Sequence, residues 1–147
     1  MNFDEIVSQF GVPIAIFAGI VVVSIVFAVV SNKNNKKLVE AYLSKYPDAR
    51  KVYLTKGAVS IKEPVRVHAV DEEKPALFNE KGKSGFYVKP GSAEIEISYT
   101  YTRPGVMYRN VTTTVGPVTQ EITTENGKTY HLSYDKKAEE FTFVEND

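Results

Sequence analysis

Glu94 and Glu96 are separated by one residue inside a run that alternates polar and apolar side chains. On a strand, that spacing puts both carboxylates on one face about 7 Å apart, at roughly 3.4 Å per residue. Paired acids can hydrolyse a glycoside, one donating a proton while the other acts as base or nucleophile. The same spacing describes the wet face of an amphipathic strand, which is the reading preferred here. His68 and His131 are the only histidines, followed at short range by Asp71 and Asp135. No H-E-x-x-H or other spaced ligand cluster surrounds either one. Gly82-Lys83-Ser84 matches the end of a phosphate-binding loop, but the required earlier glycine is Leu77, and Pro90 lies where a helix should run. The acidic runs Asp71-Glu72-Glu73 and Glu139-Glu140 lack the alternating ligands and glycine of a calcium loop. Cysteine is absent, which removes disulfides, thiol chemistry and thiolate metal sites. The expectation is a chain with no catalytic residues, no metal and no cofactor, its histidines and acidic pairs being surface residues.

Recognition is better served than catalysis. Nine tyrosines and no tryptophan are present. Tyr99, Tyr101 and Tyr108 gather around Arg103-Pro104-Gly105. Strand alternation sends Tyr99 and Tyr101 inward. Tyr108, with Arg103 and Arg109, is left as a possible binding surface for peptide or sugar. Asn110-Val111-Thr112 is an N-glycosylation acceptor only if it faces the lumen of a eukaryotic membrane.

The elements that position these residues begin with Phe10 to Val30, twenty-one residues without a charge. As a helix this run is about 32 Å long at roughly 1.5 Å per residue, matching a hydrocarbon core of about 30 Å. The leader holds Asp4 and Glu5 with no Lys or Arg, and no small-residue cleavage site follows Val30, so the run reads as an uncleaved anchor. Residues 31–51 carry six basic and two acidic side chains. Lys33, Lys36 and Lys37 lead this cluster. Basic flanks stay cytoplasmic, which predicts an outward N-terminus and a cytoplasmic domain; the reverse topology is the alternative. The bilayer is thus the first expected partner, and a protein at the membrane the second. Gly11, Ala15 and Gly19 form a small-residue ridge on which two such helices can pair into a homo-oligomer. Residues 52–147 carry twelve basic and fourteen acidic side chains, which gives no support to a nucleic-acid partner.

Four segments follow: 1–9, a short acidic N-terminus; 10–30, the transmembrane helix; 31–50, a basic juxtamembrane linker; and 51–147, a β domain. Within the linker, Leu38, Val39, Tyr42, Leu43 and Tyr46 repeat at helical spacing until Pro47, predicting a short amphipathic helix. Beyond Lys51 the period becomes two. Val52 and Leu54 begin one strand. Val65, Val67 and Ala69 line one face of the next, and Phe86 to Val88 forms a third. Ala93 to Thr102 is the clearest, with Ile95, Ile97, Tyr99 and Tyr101 on one side. Tyr108 to Val115 returns, Gly116-Pro117 breaks it, and Val118 to Thr124 resumes. Asn126-Gly127 predicts a type I′ hairpin joining 119–125 to 128–134, with Tyr130, Leu132 and Tyr134 inward. Phe141 and Phe143 close the final strand. The fold class is therefore all-β: a small antiparallel β-sandwich of seven or eight short strands behind one transmembrane helix.

Val65-x-Val67, Val70-Asp71 and Gly85-Phe86-Tyr87-Val88-x-Pro90-Gly91-x-x-x-Ile95-x-Ile97-x-Tyr99 resemble the middle of small transthyretin-like or PEGA-like sandwich modules of bacterial membrane-associated proteins. The Pro-Glu-Gly-Ala string is absent. The resemblance implies the sandwich and a structural or binding role, and brings no catalytic residues. The expected function is a membrane-anchored, non-catalytic interaction or assembly module. An extracytoplasmic glycan- or peptide-binding module is the alternative, and a small hydrolase built on Glu94 and Glu96 ranks last.

Overall fold

The computed structural model describes residues 3–55, 65–103, 105–107 and 109–146, with side-chain environments for residues 16–145 of these. The chain divides into two units, Met1–Leu38 and Val39–Asp147. A single helix, α1 (Phe3–Lys45), contains the apolar run and continues past it. Within its described part α1 is long and apolar enough to cross a membrane, and none of that stretch is buried in the protein. Forty-three residues span about 65 Å, roughly twice a hydrocarbon core. Inside the apolar run the Ser24 hydroxyl donates to the Ile20 carbonyl at 2.7 Å, which satisfies it without a neighbour.

The predicted separate linker helix is instead the end of α1. Ser31 to Asn35 is polar but holds neither glycine nor proline, so it costs only tenths of a kcal/mol per residue and cannot interrupt the helix. Within the second unit the last turns of α1 are packed. Tyr42 is buried, and its hydroxyl accepts a hydrogen bond from the Lys89 amide at 3.0 Å. Pro47 follows, and the helix ends at Lys45.

Among the described residues, eight strands form two sheets. The first has the order β3 (Leu77–Glu80), β4 (Lys83–Val88), β1 (Arg50–Leu54), β7 (Thr129–Asp135), β8 (Glu140–Asn146); the second has β2 (Val65–Val70), β5 (Gly91–Arg103), β6 (Val111–Thr124). One core serves both. Val52, Phe86, Val88, Tyr130 and Leu132 from the first sheet cluster with Val65, Val70, Ala93, Ile95, Ile97, Tyr99 and Ile122 from the second. The alternating run in β5 behaves as its pattern requires: Ile95 and Ile97 are fully buried and Tyr99 nearly so.

Several local expectations are corrected. Pairing is antiparallel except between β1 and β7, which run parallel. β1 sits inside its sheet and meets β7 only after the chain has passed through the second sheet. Asn126-Gly127 is a turn but not a hairpin, since β6 and β7 belong to different sheets. Only Gly127 has positive φ there, and a type I′ turn needs two such residues. The Asn126 side chain is committed elsewhere, its Oδ1 accepting from Arg50 Nη2 at 2.7 Å. The two-residue hairpin belongs to Lys81-Gly82 (φ 49° and 77°), which joins β4 to β3, a strand the sequence pattern did not reveal.

Gly116-Pro117 does not end its strand. β6 runs through it with a bulge opposite Ser98, and Pro117 is tolerated because β6 is an edge strand. A second bulge, at His68, reverses the phase of β2, so Val70 rather than Ala69 joins Val65 in the core. The two long strands β5 and β6, of 13 and 14 residues, depart from the expectation of short strands throughout.

Candidate binding surface

The described pairing of β5 with β2 ends at Val65 opposite Tyr99. Among the described residues no β2 side chain lies beside Tyr101 beyond that point; residues 56–64, which precede β2, lie outside the described residues. From the other sheet, Tyr134 on β7 and Phe141 on β8 reach the same margin of the core, each half-buried. Tyr134 stacks on Tyr99 with ring centroids 4.3 Å apart and an interplanar angle of 20°. Tyr99 meets Tyr101 at 5.7 Å, and Tyr134 meets Phe141 edge-on at 5.0 Å. The result is a seam of four aromatic rings whose inner member is buried and whose outer members keep part of their surface in water.

A cation is held over this seam. The β7–β8 turn is shaped by Asp135, whose Oδ1 accepts from the Lys137 amide at 2.8 Å, and by Glu139 at φ 57°. Lys136, on the same turn, places its Nζ 5.1 Å from the Tyr101 ring centroid and 6.0 Å from that of Tyr99. That is cation–π distance. Burial, with Glu139 and the two neighbouring tyrosines, raises the Tyr134 hydroxyl above its ordinary value. It therefore stays a neutral hydrogen-bond donor near pH 7. Flat aromatic faces, a neutral hydroxyl and a cation make a surface suited to stacking a planar or sugar-like group and steering a negative one.

The residues singled out in the sequence fall elsewhere. Arg103 is the exposed last residue of β5, opposite Val111, and Arg109 is exposed beyond the turn. Tyr108 lies outside the described residues. Between the arginines, Val106 and Met107 are fully exposed. Lys33, Lys36 and Lys37 are exposed on α1, as is Gly19, while the side-chain surroundings of Gly11 and Ala15 lie outside the described residues. Glu94 and Glu96 share the outer face of β5, with Glu121 opposite Glu94 and Thr119 opposite Glu96.

Each histidine is bonded to a hydroxyl. His68 Nε2 lies 2.8 Å from Ser98 Oγ, and His131 Nε2 lies 2.9 Å from Thr55 Oγ1. Such a pair resembles a nucleophile and its base. Ser98 is only 4% exposed, however, and among the described residues no carboxylate hydrogen-bonds either ring. No group of three acidic, histidine or cysteine side chains suited to a metal occurs among the described residues.

Sequence parity marked Tyr99 and Tyr101 as core and thereby passed over the seam. What it missed was that rings from β5, β7 and β8 meet at one margin of the core. No protein-family model, curated protein sequence or solved structure matches the chain.

Proposed function

We propose that the protein is a single-pass membrane protein whose β domain, read as a small sandwich, acts without catalysis as an interaction module beside the bilayer. The observation that carries this reading is the run Ile16–Val30. Every side chain in it is exposed and none is charged. In water such a surface is unfavourable at roughly 25 cal/mol per Å², and a bilayer removes that cost. The lysines after it support an outward N-terminus and a cytoplasmic domain. The anchor concentrates the domain near other membrane components, so weak contacts at the aromatic seam suffice for association.

Protease protection tests the arrangement. Added to intact spheroplasts, protease should leave the domain whole, and inverted vesicles should expose it. Digestion in intact spheroplasts overturns the cytoplasmic placement. It would favour a second reading, an extracytoplasmic module for glycan or peptide, which the stacked Tyr99–Tyr134 pair under Lys136 already suits. Extraction of the chain from membranes by alkaline carbonate would overturn the anchor itself.

A further inference from the structure

An edge strand offers unpaired N–H and C=O groups to any strand that meets it. Among the described residues the sheets have four such edges: β3, β8, β2 and β6. Three are blunted. β3 is four residues long and ends on Glu80. β8 carries Glu140 and Glu145. β2 carries Arg66 and is bulged at His68. β6 is different. It is 14 residues long, and among the described residues it pairs with β5 alone. No charged residue occurs from Asn110 to Gln120. The Gly116-Pro117 bulge interrupts its middle, but Val111–Val115 has no charge, proline or bulge.

Those five residues read Val-Thr-Thr-Thr-Val, identical in both directions. Two antiparallel copies meeting about a two-fold axis at Thr113 therefore put valine opposite valine and threonine opposite threonine. Like pairs of β-branched residues are favourable cross-strand neighbours. Thr112 and Thr114 are exposed, and their hydroxyls already bond Thr102 and Thr100 at 3.0 and 3.1 Å. The same pairing continues those two rows of threonines across four strands.

We propose that β6 is a homotypic docking edge, through which two copies of the chain join antiparallel at Val111–Val115. The two three-stranded sheets then become one of six strands. A charged edge would repel its own copy, and this one has nothing to repel. A palindrome rewards only an identical strand; a foreign peptide would gain the backbone bonds alone. The contact is isologous, so it closes at two copies. It uses neither the aromatic seam nor the helix.

The chain is free of cysteine, so single cysteines report the pairing in the full-length protein reconstituted into liposomes. Cross-strand Cβ atoms about 5 Å apart are close to disulfide reach. Under mild oxidation, Thr113→Cys should crosslink about tenfold faster than Thr123→Cys on the same strand, because only the first lies at the axis. A mixture of Thr112→Cys and Thr114→Cys chains should crosslink faster than either variant alone. Adding Gly19→Leu to Thr113→Cys should leave its rate unchanged. Equal rates at positions 113 and 123 overturn the proposal. So does a rate that collapses with Gly19→Leu, which assigns association to the helix. In native membranes, a crosslink only to a protein of different mass overturns the choice of a second copy.

Discussion

Among its described residues the β unit holds two clusters of three or more aromatic rings, each under a lysine, and the two differ in burial. On the outer face of the five-stranded sheet, Phe78 packs edge-on against Tyr53 at 5.4 Å and tilts against Tyr87 at 5.1 Å. Lys51 lies over Phe78 and Tyr87 and pairs with Glu80 at 2.7 Å. Phe78 and Tyr87 are 9% and 8% exposed. At the margin of the core, Tyr101, Tyr134 and Phe141 are partly buried, and Lys136 lies over Tyr101 and Tyr99 with no carboxylate to pin it among the described residues. The same residue types thus serve two ends. Where a glycine makes room and an ion pair fixes the lid, aromatics hold a sheet together. At the margin of the core, where no ion pair fixes the lysine among the described residues, they keep part of their surface in water.

The largest test is at the notch that closes the first cluster. A methyl group on Gly85 would lie 2.1 Å from the Val52 carbonyl oxygen and 2.6 Å from the Phe78 ring. Gly85→Ala should cost about 3 kcal/mol or more, read as a lowered denaturation midpoint, because one of the clashes is with backbone. A near-neutral result would mean that the cluster is not closed.

Next comes a matched pair. Phe78→Ala should cost about 3 kcal/mol. Tyr101→Ala should cost less, about 2 kcal/mol, since part of that side chain stays in water. Equal losses in parallel denaturation curves would erase the distinction between the clusters. The lids should follow the rings: Lys51→Gln should cost about 1 kcal/mol by loss of stem packing and its ion pair. Lys136→Gln should stay within about 0.5 kcal/mol.

The smallest effect is a titration. The Tyr134 hydroxyl is raised in the folded chain by burial and then by Glu139. For an acid that is neutral when protonated, a raised folded pKa favours the fold below the unfolded value. That contribution is lost as pH rises through the folded one. Alkaline ultraviolet difference spectra should show one late-ionising tyrosine that is lost in Tyr134→Phe, and Glu139→Gln should shift that group downward.

Much of this was legible in the sequence where one rule acted alone. The uncharged run gave the helix, and the alternation of Ile95, Ile97 and Tyr99 gave the buried face of β5. Failures came where two rules competed. Asn126-Gly127 carries the strongest local hairpin signal, but Arg50 captures the asparagine and the chain crosses to the other sheet. Lys81-Gly82 carries a weaker signal and makes the hairpin, because Phe78 and Gly85 fit each other across it. The phase of β2 was misread because a bulge leaves no mark in composition. The seam escaped because its rings come from three strands far apart in sequence, a property that no window of residues contains.

The parallel contact between β1 and β7 has a consequence for the order of assembly. Val52 is paired with Tyr130, a partner far along the chain, whereas β5 and β6 are close in sequence and pair up to Arg103 opposite Val111. Closing a long loop is entropically costly and slow, and a hairpin forms in about 1–10 μs. During synthesis, α1 and β1 therefore exist for many seconds at about 5–20 residues per second before β7 is made. Through that interval one side of β1 stays open, in a nascent chain whose helix is already available to the membrane.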